Sequence, residues 1–304
     1  MSANYSSGVD QAFASIYSLL FIGGLPLNIA ALYFFCFGWV VHSTTTIYMK
    51  NLAVCDLLLL TSLPLRVYYY SRRPQLPQAV CDTTGLLLLV NMYSSIFLLT
   101  CISWDRCMAL CFPLSRRAQA VRQQAKYICA GAWALSIVGT IPTYFVPNQK
   151  VSNRTLCFDS QPDYIRARAV TSAMVLCFAL PLAIMVTCSC SLLRAVHHST
   201  AVQMELVNGS KIKHMVMTNV AIFLGCFLPF HVTVLCYQVP ALKEEHLTMA
   251  YKCALLLACA NATLDPLAYY FATETFQHFV SMDHLRGTWS SRHSNTERGC
   301  SSNP

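Results

Sequence analysis

The chain has 304 residues, of which 55% are hydrophobic and 11% charged, with a formal net charge of +8. A soluble domain carries roughly 25% charged residues, so a water-covered surface of this size is excluded and lipid must be the solvent for much of the chain. The mean hydropathy of +0.47 agrees, and basic residues scattered between apolar runs argue against nucleic acid as a partner.

Residues 1–11 are polar and lack a basic region ahead of an apolar core, so they read as an extracellular N-terminus and not as a cleavable signal. The first apolar segment then serves as the signal anchor. A helix needs about 20 apolar residues to cross the hydrocarbon core. Seven stretches meet this: 12–38, 46–71, 79–111, 126–146, 167–194, 212–239 and 248–271, with polar interruptions in the third and fifth. The fold class is therefore an all-α membrane protein, a seven-transmembrane helix bundle spanning 12–281. Residues 273–280 read as a short amphipathic eighth helix on the inner surface. The tail 282–304 reads as disordered and cytoplasmic, being rich in Ser, Arg and Asn. The 16 cysteines do not make a disulfide scaffold, because most (Cys36, Cys55, Cys101, Cys129, Cys177, Cys226) lie within the apolar stretches as small apolar residues. No cysteine pair has zinc-finger spacing with histidines.

With the N-terminus outside, just over half of the Lys and Arg fall on the inner side, among them Lys50, Arg106, Arg116, Arg117, Arg122, Lys126 and Arg194. The positive-inside bias is modest. The sequons at Asn4 and Asn153 then fall outside, open to glycosylation, whereas those at Asn208 and Asn261 do not. This topology implies a multi-pass protein of the plasma membrane.

Ionisable and polar groups inside spans are expensive and are functional candidates by default. They are Asn28 in the first span, Asp56 in the second, Asp105-Arg106 ending the third, and Asp265 in the seventh. Asp56, Ser95 and Asp265 can converge on a sodium ion or on a water-bridged polar cluster; no other cofactor is implied. Pro181, Pro229 and Pro266 each remove a helix hydrogen bond and permit a kink.

At these residues the chain resembles the rhodopsin-like G-protein-coupled receptors. The family pattern is matched in order by Asn28, Asp56, Asp105-Arg106-Cys107, Trp133, Pro181, Cys226-Phe227-Leu228-Pro229 and Asp265-Pro266-Leu267-Ala268-Tyr269. Cys107 stands where the family has Tyr, Phe227 where it has Trp, and Asp265 where it has Asn. The resemblance implies a ligand-driven receptor that acts on a heterotrimeric G protein. It also implies a disulfide between Cys81 and Cys157. The expected activation switch comprises Asp105, Arg106, Phe223, Phe227, Pro229 and Tyr269, with Asp105 and Arg106 forming an intrahelical pair that opens on G-protein docking.

The outer face is net basic, against the positive-inside trend, which points to an anionic ligand. No acid lies in the third span near Asn91 to serve as counter-ion for an amine. Candidate ligand residues are Arg66, Tyr69, Asn91, Arg166, Arg168, His231 and Lys252. His231 reads equally as a satisfied core histidine, and Arg72 and Arg73 as solvated loop charges. The runs His42-Ser-Thr-Thr-Thr-Ile-Tyr-Met-Lys-Asn-Leu-Ala, Asn91-Met-Tyr-Ser-Ser and Asp265-Pro-Leu-Ala-Tyr-Tyr-Phe are similar to the purinergic-related branch. Within it they resemble the lysophosphatidic acid receptors. Gly24-Leu-Pro-Leu-Asn28 and Cys81-Asp-Thr-Thr-Gly85 resemble the fifth subtype, and Thr187-Cys188-Ser189 the sixth. There the arginine matching Arg66 lies in the phosphate-binding region. The expected ligand is thus a lysophospholipid, with a nucleotide or small carboxylate as the alternatives. A transporter is the distant alternative, opposed by the lack of repeated halves. An enzyme is opposed by the lack of a paired acid, His cluster or nucleophile with its base.

Overall fold

The structure, a computed structural model, describes residues 2–37, 43–112, 114–145, 157–158, 163–198, 206–240 and 244–272. Among these the regular structure is entirely helical. The helices are α1 (Ser2–Phe37), α2 (Thr44–Arg72), α3 (Gln78–Cys111), the short connecting α4 (Arg116–Gln123), α5 (Ala125–Phe145), α6 (Arg168–His198), α7 (Leu206–Cys236) and α8 (Glu244–Ala272), with a 3-10 turn at Asp163–Arg166. Seven of the eight match the seven apolar stretches in number and order.

Among the described residues, six of those seven are long and apolar enough to cross a membrane. The exception, α5, has 21 residues. At 1.5 Å per residue that is about 32 Å, enough for the hydrocarbon core. α1 starts at Ser2, inside the segment expected as a polar N-terminus. α7 likewise begins at Leu206, ahead of the apolar stretch. Asn153, residues 273–280 and the tail from 282 lie outside the described residues, as does the side chain of Asn4.

α3 is the hub. It packs on α2, α4, α5, α6, α7 and α8, while α1 touches only α2 and α8 among the long helices with substantial contact. The burial follows: 67% of the apolar window of α3 is buried, against 28% for α1. Lipid-facing α1 can therefore carry exposed Leu19, Ile22 and Tyr33. α1, α2 and α8 meet at Gly24, where an added Cβ would come within 2.8 Å of Leu60 Cδ2 and Thr263 Oγ1. A larger residue there would have to displace both side chains.

Polar side chains set the helix ends and register. Ser43 caps α2 by accepting from Thr46 N (3.3 Å), and Ser115 caps α4 by accepting from Ala118 N (3.3 Å). Trp133 Nε1 of α5 donates to Asn51 Oδ1 of α2 at 3.1 Å. Asn28 of α1 donates to the Gly24 and Ala262 carbonyls at 3.0 and 2.6 Å. The second of these bonds fixes α1 against α8. At one end of the bundle a disulfide joins Cys81, in the first turn of α3, to Cys157, with Cα atoms 5.4 Å apart.

Candidate functional site

Four groups of side chains run from the disulfide end to the opposite end. The first surrounds Arg66. Pro64 lies one half-turn before it in α2, and its side chain turns into the bundle, 2% exposed. The guanidinium carbon lies 4.5 Å from the Phe158 ring centroid and 5.8 Å from that of Tyr17. Phe158 is held there by the adjoining disulfide, by the edge of Tyr69 (5.0 Å) and by the Tyr70 hydroxyl on its carbonyl (3.4 Å). Arg66 Nε is buried with no hydrogen-bond partner among the described residues. A buried charge with an unsatisfied donor is costly unless an anion meets it. Cation–π contact with two rings offsets only part of that cost.

The second group lies deeper, on α3, α6 and α7. His231 stacks on Phe178 at 4.2 Å. Its Nδ1 faces the Phe227 carbonyl at 2.8 Å and its Nε2 the Tyr93 hydroxyl at 3.4 Å. A carbonyl only accepts, so Nδ1 carries the proton and Nε2 accepts from Tyr93. His231 is thus a satisfied core histidine, the second of the two readings open from sequence. Phe223 meets Phe178 face to face at 5.4 Å and Phe227 edge-on at 5.6 Å, both beneath His231. Thr233 donates to the Pro229 carbonyl at 2.7 Å. Phe223 and Phe227 are therefore linked to α6 through Phe178.

The third group is polar. Asp56 accepts from Asn91 Nδ2 at 3.3 Å and from the Tyr269 hydroxyl at 3.5 Å. Asp265 accepts from Asn261 Nδ2 at 2.9 Å. Asn91, expected among the ligand groups, turns its amide to Asp56 and Cys55. Ser95 lies one turn further along the same face of α3. Its hydroxyl and Asp265 Oδ1 are buried without hydrogen-bond partners among the described residues. Two carboxylates, one of them with an orphaned oxygen, and an orphaned hydroxyl form a donor set that fits a hard cation. Asn28, expected in the same network, donates its amide to backbone carbonyls and keeps a buried Oδ1 with no hydrogen-bond partner among the described residues.

The fourth group sits at the far end. Asp105, fully buried, accepts from Thr45 Oγ1 at 2.6 Å and from Arg122 Nε at 2.7 Å. Neither partner is visible from sequence, where Asp105 is matched with its neighbour Arg106. Arg122 comes from α4, which Ser115 starts and Ala118 anchors. Cys107, in place of a tyrosine, packs among Cys188, Leu192, Met215 and Val216 at the junction of α3, α6 and α7. Leu114, between α3 and α4, is 93% exposed.

Of the other expected ligand residues, Tyr69 is buried beside Phe158, and Lys252 is half-buried on α8. Arg166 and Arg168 are exposed, at the end of the 3-10 turn and the start of α6. Arg73 is no loop charge. It caps α2 and forms an ion pair with Asp10 of α1. Sequence reasoning missed Tyr17, Phe158 and Asp10 at this end; only the aromatic content of the first span hinted at Tyr17.

A model of the seven-transmembrane receptor family, rhodopsin type, matches residues 27–269. The chain belongs to that family. The receptor is 35% identical over 282 residues to lysophosphatidic acid receptor 5 of Bos taurus, covering 86% of this chain and 76% of the relative. It is 31% identical over 304 residues to lysophosphatidic acid receptor 4 of Mus musculus, covering 94% and 82%. It is also 31% identical over 296 residues to a purinoceptor of Meleagris gallopavo, covering 91% and 90%. Family membership makes the chain a multi-pass signalling receptor and not an enzyme. It also makes α5 a span.

Proposed function

We propose that this receptor, with its N-terminus outside the plasma membrane, binds an extracellular anionic lipid, lysophosphatidic acid, and signals through heterotrimeric G proteins. One observation carries the reading: a buried guanidinium, Arg66, with an unsatisfied Nε inside an aromatic cage at the outer end. The phosphate completes its hydrogen bonding by a charge-assisted pair. The acyl chain lies among apolar side chains, at about 0.8 kcal/mol per buried methylene. The names of the two lysophosphatidic acid receptors among the relatives support this ligand over a nucleotide.

Binding shifts an existing inactive–active equilibrium. Tyr69 and Phe158 sense the anion, and repacking of Phe178, Phe223 and Phe227 around Pro229 moves the inner end of α7. Arg106, Tyr269 and the exposed Leu114 then meet the G protein. A sodium ion would be held by Asp56, Asp265 and Ser95 and would supply positive charge that favours the inactive packing.

The test is G-protein activation in cells expressing the receptor or its Arg66→Gln variant, challenged with lysophosphatidic acid, nucleotides and small carboxylates. A lysophosphatidic acid response lost in the variant supports the reading. A response only to a nucleotide or carboxylate replaces the ligand and keeps the receptor.

A further inference from the structure

α2 ends at Arg72, and the next residue, Arg73, adopts φ 50°, ψ 44°, the one positive-φ non-glycine among the described residues. Its N–H bonds to the Tyr69 carbonyl at 2.8 Å. A bulky side chain rarely takes this conformation, and such outliers gather at ligand clamps. Here it folds the guanidinium back over α2, 5.3 Å from the Tyr69 centroid and 5.6 Å from that of Tyr70. Arg73 Nε donates to Asp10 Oδ2 at 2.8 Å while Nη2 donates to Oδ1. This two-point fork is the one that a phosphate or carboxylate ligand would receive.

The layer beneath Arg73 is the roof of Arg66. Tyr69 meets Phe158 edge-on, and Tyr70 lies parallel to Tyr17 at 6.0 Å. Phe158 and Tyr17 are the rings that flank the Arg66 guanidinium. The two arginines therefore stand on opposite sides of one aromatic layer. The upper one is 34% exposed on its side chain and the lower is buried.

We propose that Asp10 and Arg73 form an entry gate, in which the Asp10 carboxylate occupies the fork that the incoming ligand's oxyanion takes first on its way to Arg66. This rests on reading Arg66 as the anion site. Transfer of Arg73 from Asp10 to the ligand also frees Tyr69, whose hydroxyl Arg73 holds at 3.4 Å, so that the layer opens. A pair that only ties α1 to α2 has no such effect on ligand kinetics.

The experiment measures association and dissociation of fluorescent lysophosphatidic acid on full-length receptor in membranes, with surface expression as the folding control. Asp10→Asn speeds association roughly three- to ten-fold at low salt, the gain fading at high salt, as a steering effect does. Arg73→Gln slows it by a similar factor, and Arg73→Lys, which keeps the charge and loses the fork, lies between. Dissociation stays near wild type in all three and rises in Arg66→Gln. The double charge swap Asp10→Arg with Arg73→Asp rebuilds the tie and still associates slowly. Unchanged association in Asp10→Asn and Arg73→Gln, or wild-type kinetics in the swap, overturns the gate while leaving Arg66 in place. No binding to the wild-type receptor overturns the lipid reading and the gate with it.

Discussion

Arg122 Nε lies 2.7 Å from Asp105 Oδ1, so the connecting helix α4 holds the base of α3 by a side-chain bond across 17 positions of sequence. Asp105 is buried, and Arg122 is 27% exposed on its side chain, which makes the arginine the mobile partner. Removing it leaves a buried carboxylate with Thr45 alone. Arg122→Gln should therefore raise ligand-free G-protein activation. A loss of roughly 1 kcal/mol for a partly exposed charged bond corresponds to about a five-fold shift in the inactive–active equilibrium. Thr45→Ala should act in the same direction. Basal signalling measured at matched surface expression decides the matter, and wild-type levels in both variants would remove Asp105 from the resting lock.

Arg66 and Phe158 should respond differently to substitution. Truncating one partner of a buried charge pair costs about 2–5 kcal/mol, so Arg66→Gln should weaken lysophosphatidic acid potency by roughly 30-fold or more. Phe158→Leu keeps the apolar roof and loses only the cation–π contact, worth about 1–2 kcal/mol when desolvated. Its potency loss should be smaller. Dose–response curves for both variants check the order, and equal losses would mean that Phe158 acts through folding of the loop.

The spans were legible because each carries an apolar run long enough to cross the hydrocarbon core, with no competing signal. The start of α1 was not, since polar residues 2–10 give no apolar periodicity while backbone hydrogen bonds continue regardless. Asn91 and His231 show the limit within the site. Helical period gives the face that each occupies but not its depth, and depth decides whether the partner is a ligand, Asp56 or Phe227. Arg73 shows another limit: its sequence context, ahead of Pro74, reads as loop, and only the left-handed turn brings it back over Tyr69. The Asp105–Arg122 bond depends on how α4 docks, which no local pattern encodes.

Gly24 and Gly23 offer an internal comparison. A Cβ at Gly24 would stand 2.8 Å from two side-chain atoms, whereas at Gly23 the nearest is Thr263 Cγ2 at 3.6 Å, an ordinary contact. Gly24→Ala should separate α1 from α2 and α8 and cost about 1–3 kcal/mol. Gly23→Ala should be near neutral. Thermal unfolding of the detergent-solubilised receptor measures both, and a larger loss at Gly23 would contradict the packing.

Asp265 stands where the family has Asn, and it gives the Asp56 group a second carboxylate with a buried oxygen that has no partner among the described residues. Two adjacent carboxylates repel unless a proton or cation lies between them. Sodium should therefore lower agonist affinity by favouring the inactive packing, and exchange of sodium for a bulky organic cation should raise it. Asp265→Asn removes one negative charge while keeping an oxygen, so the sodium effect should shrink but persist. Asp56→Asn also removes a carboxylate, and it weakens the acceptor held by Asn91 and Tyr269, so there the effect should vanish. Agonist affinity titrated against sodium at constant ionic strength reads this directly. Equal sodium dependence in wild type and both variants would rule out the cluster as the sodium site.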